Sequence, residues 1–204
     1  MKHDTTKNAE TGDVAAPCCR QRRDAVKAVM VATVMMGSGM RTVSAQPDAA
    51  DAPPQPGDRL VSMDSEGAPV ALRVSDIPLT SKPVRAQPFV PAEKMVRDGS
   101  RLSRVILMRF DPASLDAETR ARSADGVLAY SAVCTHQGCE VSEWDASGGA
   151  MFCFCHFSKF DPLKSGEVTA GPAGRRLPWL PLKSDNGELV VAGEFSSTPG
   201  VRKS

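Results

Sequence analysis

Beyond the first 45 residues, every cysteine and histidine of this 204-residue chain falls between positions 134 and 156. Two short runs hold them: Cys134-Thr135-His136-Gln137-Gly138-Cys139 and Cys153-Phe154-Cys155-His156-Phe157-Ser158. Thiolates and imidazoles are donors that proteins use for transition metals, and such clustering marks a metal site rather than chance scatter. Read as C-x-H, sixteen residues, C-x-x-H, the runs supply two thiolates and two imidazoles, with Cys139 and Cys155 left over. Two readings stand open on donor type alone: a structural zinc, for which Cys2His2 is a known set, and an iron–sulfur cluster.

The two runs resemble the Rieske family, whose pattern is C-x-H-x-G-C with C-x-C-H-x-S. The resemblance implies one [2Fe–2S] cluster per chain, with Cys134 and Cys153 on an inner iron and His136 and His156 on an outer iron near the surface. It implies a disulfide between Cys139 and Cys155, as in the high-potential branch of the family, and hence an oxidising compartment. It makes Ser158 a donor to a cluster sulfur, a bond that stabilises the added electron and raises the potential. Gly171-Pro172-Ala173 resembles the loop that covers the cluster from a third side. Zinc accounts for four ligands but leaves Cys139, Cys155, Ser158 and that loop unexplained.

Several positions depart from the quinol-oxidising members. Phe160 stands where they carry a tyrosine that donates to a cysteine sulfur, and Gln137 where they carry a leucine. Phe154 replaces a common proline, Phe157 a common glycine, and Gly174 the second proline of the covering loop. The run Cys155-His156-Phe157-Ser158 is similar to that of the small Rieske subunit of arsenite oxidase. Rieske centres span about −150 to +300 mV, and the missing tyrosine hydroxyl implies a potential below that of the quinol-oxidising type.

The resemblance implies single-electron transfer through His136 and His156, electron uptake carrying a proton. The expected partner is a larger oxidoreductase subunit or a cytochrome. The alternative is the iron–sulfur subunit of a cytochrome bc-type complex, fed by quinol. A ring-hydroxylating oxygenase would need a second iron on further histidines, and outside the leader none remain. No nucleophile or general base stands out, so any substrate is expected to be turned over on a partner. A net charge of +1 gives no reason to expect a nucleic-acid partner.

Residues 1–45 read as a targeting leader. Arg22-Arg23 resembles a twin-arginine export signal, Ala28–Met40 is a short apolar run, and Val43-Ser44-Ala45 offers a cleavage site before Gln46. The expected location is the periplasm. Membrane contact is expected only if the leader is kept as an inner-membrane anchor, for which the run is short against the ~20 residues of a spanning helix. Residues 46–58 read as a proline-rich linker, and 196–204 as a polar tail.

The elements that must position the site lie between, in residues 59–195. Sixteen glycines, sixteen prolines and few aromatics suit short strands joined by turns. The family fold implied is all-β: an antiparallel β-sandwich base of small sheets with a cluster-binding subdomain inserted at about 130–175. Strands are expected at 69–74, 104–110, 127–133, 150–154, 177–182 and 188–192. A helix is expected at 113–122, capped by Ser114 or Asp116, with Glu118, Arg120 and Arg122 solvated. Asp185-Asn186-Gly187 predicts a hairpin turn. The segment 77–101, with four prolines, reads as an irregular connection.

Overall fold

The strongest strand signals, Val105–Arg109 (β4) and Val127–Ser131 (β5), are apolar on both faces because each face meets a different core. Val105, Leu107, Val127 and Ala129 point into one cluster, with Leu60, Leu180, Leu189 and Val191. Ile106, Met108, Leu128 and Tyr130 point into the other, with Met151, Phe160 and Leu177. A sheet covered on both sides loses the polar alternation of a half-exposed one. The computed structural model describes residues 48–80 and 82–202, so the leader, with Arg22-Arg23, Cys18, Cys19 and the cleavage site, lies outside the described residues.

The base is one antiparallel sheet of eight strands. Its other members are β1 (Arg59–Ser62), β2 (Val84–Val90), β3 (Met95–Val96), β10 (Trp179–Leu180), β11 (Leu182–Asp185) and β12 (Glu188–Val191). The order is β10-β5-β4-β2-β1-β12-β11, with β3 beside β2. The two ends of this order, β10 and β11, are separated in sequence by Pro181 alone. The sheet therefore curls until its edges nearly meet, where the sequence analysis expected several small sheets. Asn186 and Gly187 close the β11–β12 hairpin with φ of 51° and 84°, the left-handed pair a two-residue turn requires.

A second antiparallel sheet, β6 (Glu143–Asp145), β7 (Ala150–Cys153), β8 (Ser158–Asp161) and β9 (Glu167–Ala170), packs on the outer face of β4 and β5. Tyr130 ties the two sheets. Its buried hydroxyl donates to the Pro162 carbonyl at 2.6 Å, and burial pushes its pKa up to about 12.

Four expectations are corrected. Pro69–Val74 is not a strand: Ala71 and Arg73 make only single bridges, and the Asp76 carboxylate takes the Arg73 N–H as a 3-10 turn begins. The supposedly irregular 77–101 holds β2, in the middle of the sheet. Pro88 is tolerated there because its carbonyl, which accepts from Arg97 N, and hence its nitrogen face the margin of the short β2–β3 pairing, beyond the reach of β4, where a single ladder bond is lost. The helix shortens to α1 (Ala117–Ala121), capped by Asp116, whose carboxylate accepts from Thr119 N at 2.7 Å. Arg122 is buried, not solvated: it lies over the Trp179 ring and donates to Thr119 and Tyr130 hydroxyls.

Both ends of the described chain are fastened to the base. Arg97, paired with buried Asp58, also holds the Ala49 carbonyl, and Ser103 donates to Ala52. At the other end Trp179 and Ser196 exchange two hydrogen bonds.

Candidate metal centre

Two loops lie side by side, the first on the crossing from β5 of the base to β6 and the second between β7 and β8, and both are built the same way. In the first, Cys134 N donates to Cys139 O at 2.7 Å and Gly138 N to Cys134 O at 3.0 Å, which leaves Thr135–Gly138 as a tip. Gly138 closes this turn at φ 77°. In the second, Cys153 and Ser158 are paired across β7 and β8, which leaves Phe154–Phe157 as a tip. Phe157 closes it at φ 61°, a left-handed conformation that favours glycine.

Each loop thus places a cysteine at its buried foot and a histidine at its tip. Cys134 and Cys153 are free thiols, both about 1% exposed, whereas His136 is half-buried and His156 exposed. The imidazole rings meet edge to face, centroids 4.7 Å apart. Cys139 and Cys155 form a disulfide that links the two loops, with Cα atoms 6.4 Å apart.

A third loop closes the side. Gly171, at φ 83°, lies against the second loop so closely that a Cβ there would fall 2.5 Å from Ser158 Cα. Ala173 is buried in the same core as Cys134 and Cys153, and the Arg175 carbonyl accepts from Thr135 Oγ1 at 2.7 Å. Arg175 in turn gathers the last residues: its guanidinium donates to Thr198 O and Gly200 O and to Ser197 Oγ. The segment read as a polar tail is therefore stitched to the site. Neither the Arg175–Thr135 link nor this tail was anticipated from the sequence, where Arg175 carries no motif.

The polar atoms inside fit a metal–sulfide centre. His136 Nδ1 and Ser158 Oγ are buried and bond to no protein atom. Burial, then the neighbouring Cys134, pushes the Cys153 thiol up to about 11. A buried pair of thiols can serve as two thiolates only if a cation compensates them. The donors pair off, thiol with thiol and imidazole with imidazole. That arrangement suits two metals sharing four ligands better than one tetrahedral zinc.

Phe160, at the position of the missing tyrosine, is fully enclosed opposite Met151. Gln137 is exposed at the tip of the first loop.

Residues 112–181 match the family model of the Rieske [2Fe–2S] domain. Over 106 residues the chain is 40% identical to a putative respiratory nitrate reductase subunit Rieske of Haloferax mediterranei, covering 51% of this chain and 47% of that one. It is 47% identical over 73 residues to the cytochrome bc1 complex Rieske iron–sulfur subunit of Corynebacterium diphtheriae, covering 35% and 18%. A solved structure, the soluble domain of Rieske protein II (soxF) from Sulfolobus acidocaldarius, aligns at 23% identity and a TM-score of 0.35, over 50% of this chain and 68% of that one. The chain thus spans about half the length of the first curated relative and less than a fifth of the second.

Proposed function

We propose that this chain, which carries a Rieske [2Fe–2S] domain and is thereby an iron–sulfur electron-transfer protein, is a periplasmic relay that passes single electrons between a larger oxidoreductase and a cytochrome. Cys134 and Cys153 would hold one iron of the cluster, and His136 and His156 the other. The cluster supplies a one-electron couple whose potential is set by its ligands and their hydrogen bonds. The protein's own residues do the rest. The disulfide and the Thr135–Arg175 bond hold the loops in register, Ser158 donates from below, and the buried feet keep water from the thiolates.

The single observation that carries this reading is the histidine pair. It sits at the exposed end of a site whose other donors are buried, so it is the short path for an electron in or out. The match to a respiratory nitrate reductase subunit favours service to a larger redox enzyme. The leader supports export by the twin-arginine route, which suits a protein that folds around its cluster before crossing a membrane. A disulfide beside the site suits an oxidising compartment.

The bc-type subunit is the second reading, favoured by relatives of that name. Phe160 and Gln137 weigh against it. Anaerobic mixing of the oxidised protein with quinol, in the absence of other proteins and with membranes, separates them. The relay reading expects the cluster to stay oxidised in both cases while a dithionite-reduced sample gives up one electron per chain to a cytochrome. Rapid reduction by quinol would instead support the bc-type role. Replacing Arg22-Arg23 by a lysine pair is expected to abolish periplasmic recovery, and undiminished recovery would contradict the export route.

A further inference from the structure

Phe154 and Phe157 are the most exposed aromatic rings of the described residues, 71% and 60% accessible, and they flank His156. With Phe152 they form one patch, ring centroids 6.0–6.2 Å apart. Scattered exposed apolar residues need no explanation, but a contiguous aromatic patch does. Phe157 sharpens the point. It holds a left-handed backbone that a glycine would adopt without strain, and it gains no burial in return.

The first loop carries a different surface. Arg101 reaches within 3.6 Å of where a Cβ on Gly138 would lie, and Val201, the neighbour of Arg202, within 3.9 Å. Arg202 is near enough to Arg175 to lower its pKa, after burial. None of the ion pairs among the described residues involves Arg101, Arg175 or Arg202. Glu140, which lines a shallow cavity with Arg101, is already engaged by Arg85. The charge left uncompensated at this rim is therefore positive. The disulfide joins the two loops, so the aromatic patch and the arginines border one histidine-tipped face.

The geometry points to this face as the docking surface of a redox protein that is apolar at the centre of its contact area and acidic at its edge. The inference rests on the relay reading above and adds the chemistry of the partner. The rings supply contact area at low conformational cost, and the arginines steer the approach and fix its orientation. The electron then crosses at His136 and His156, at the tips of the two loops.

The test uses the cluster-loaded full chain, reduced, mixed in stopped flow with two acceptors adjusted for driving force: an acidic cupredoxin of the plastocyanin type and a lysine-rich cytochrome c. The acidic acceptor is expected to react faster, with a rate that falls as salt rises. Charge reversal by Arg101→Glu with Arg202→Glu is expected to slow it by about tenfold or more at low salt and to invert the preference. Phe157→Gly and Phe154→Ser are expected to slow it at all salt concentrations, with Tm for Phe157→Gly unchanged or higher. The potential and the electron paramagnetic resonance (EPR) signal of the arginine variant stay those of the parent, and the potential of each phenylalanine variant is measured so that its rate is compared at equal driving force. Rates indifferent to salt and to these variants, or a consistently faster basic acceptor, would overturn the docking surface. A parent protein with no cluster signal would instead overturn the relay reading.

Discussion

Cys153 and Ser158 are register partners at the foot of the loop that carries His156. The pairing puts the serine hydroxyl on the same buried floor as the thiol, with no protein acceptor for its proton. A donor in that position favours the more negative, reduced state of whatever the cysteine holds.

Ser158→Ala therefore lowers the midpoint potential. A hydrogen bond to a charged group contributes about 1.5–3 kcal/mol. If around half of that is gained only on reduction, the fall is on the order of 60 mV, a tenfold change for a one-electron couple. Redox titration checks this, and an unchanged potential would mean the hydroxyl serves packing alone.

Phe160→Tyr should move the potential the other way. The ring shares a fully buried core with Cys134 and Cys153, so a phenol there finds sulfur as its acceptor or pays for burial without one. The expected result is a rise in potential with little loss of Tm. A large Tm loss without a rise would show that the hydroxyl points away from the thiols.

Gly171→Ala tests the third loop. A Cβ there collides with the Ser158 backbone at a φ that costs L-residues about 1–2 kcal/mol before any clash. A loss of about 2 kcal/mol or more corresponds to roughly 4–8 °C in Tm for a domain of this size. Cluster absorbance should fade faster in the variant. Equal lifetimes would separate this loop from cluster retention.

Asp145 gives the pH dependence. Its carboxylate accepts from Lys159 Nζ at 2.5 Å, from Ser147 and from Gly148 N, and these bonds, Lys159 first, hold its pKa well below the ordinary carboxylate range. A pKa depressed in the folded state adds stability that is complete above the unfolded value, near 3.9, and is lost as pH falls through the folded value. Asp145→Asn should therefore lower Tm at neutral pH, with the gap to the parent closing below about pH 4. A gap that is constant with pH would assign the effect to the turn rather than to the charge.

What could be read without coordinates was what local chemistry dictates. The two cysteine–histidine runs, the Asn186-Gly187 turn, a helix cap at Ser114 or Asp116 and the apolar β4 each announce themselves within a few residues. The features that escaped depend on distant partners. Pro88 hid β2, because a proline is tolerated there only by facing the margin of the short β3 pairing, beyond the reach of β4. Arg122 looked solvated until Trp179 and Tyr130, brought over by the sheet, supplied its partners. Residues 46–58 read as a proline-rich linker, and nothing local in them announces that Arg97 holds Asp58 and the Ala49 carbonyl. Arg175 joins Thr135 to the tail across 40 and 23 positions, a separation that no window of sequence spans.

The central claim is that two buried thiols and two imidazoles near the surface divide between a pair of sulfide-bridged irons. Its most direct measurement is iron and acid-labile sulfide analysis of anaerobically prepared full-length protein, paired with EPR of the reduced sample. Two irons and two sulfides per chain are predicted, with a rhombic signal at the low average g value that nitrogen ligation imposes and that is lost in His136→Ala or His156→Ala. Colourless protein holding one zinc and no sulfide would contradict the account outright.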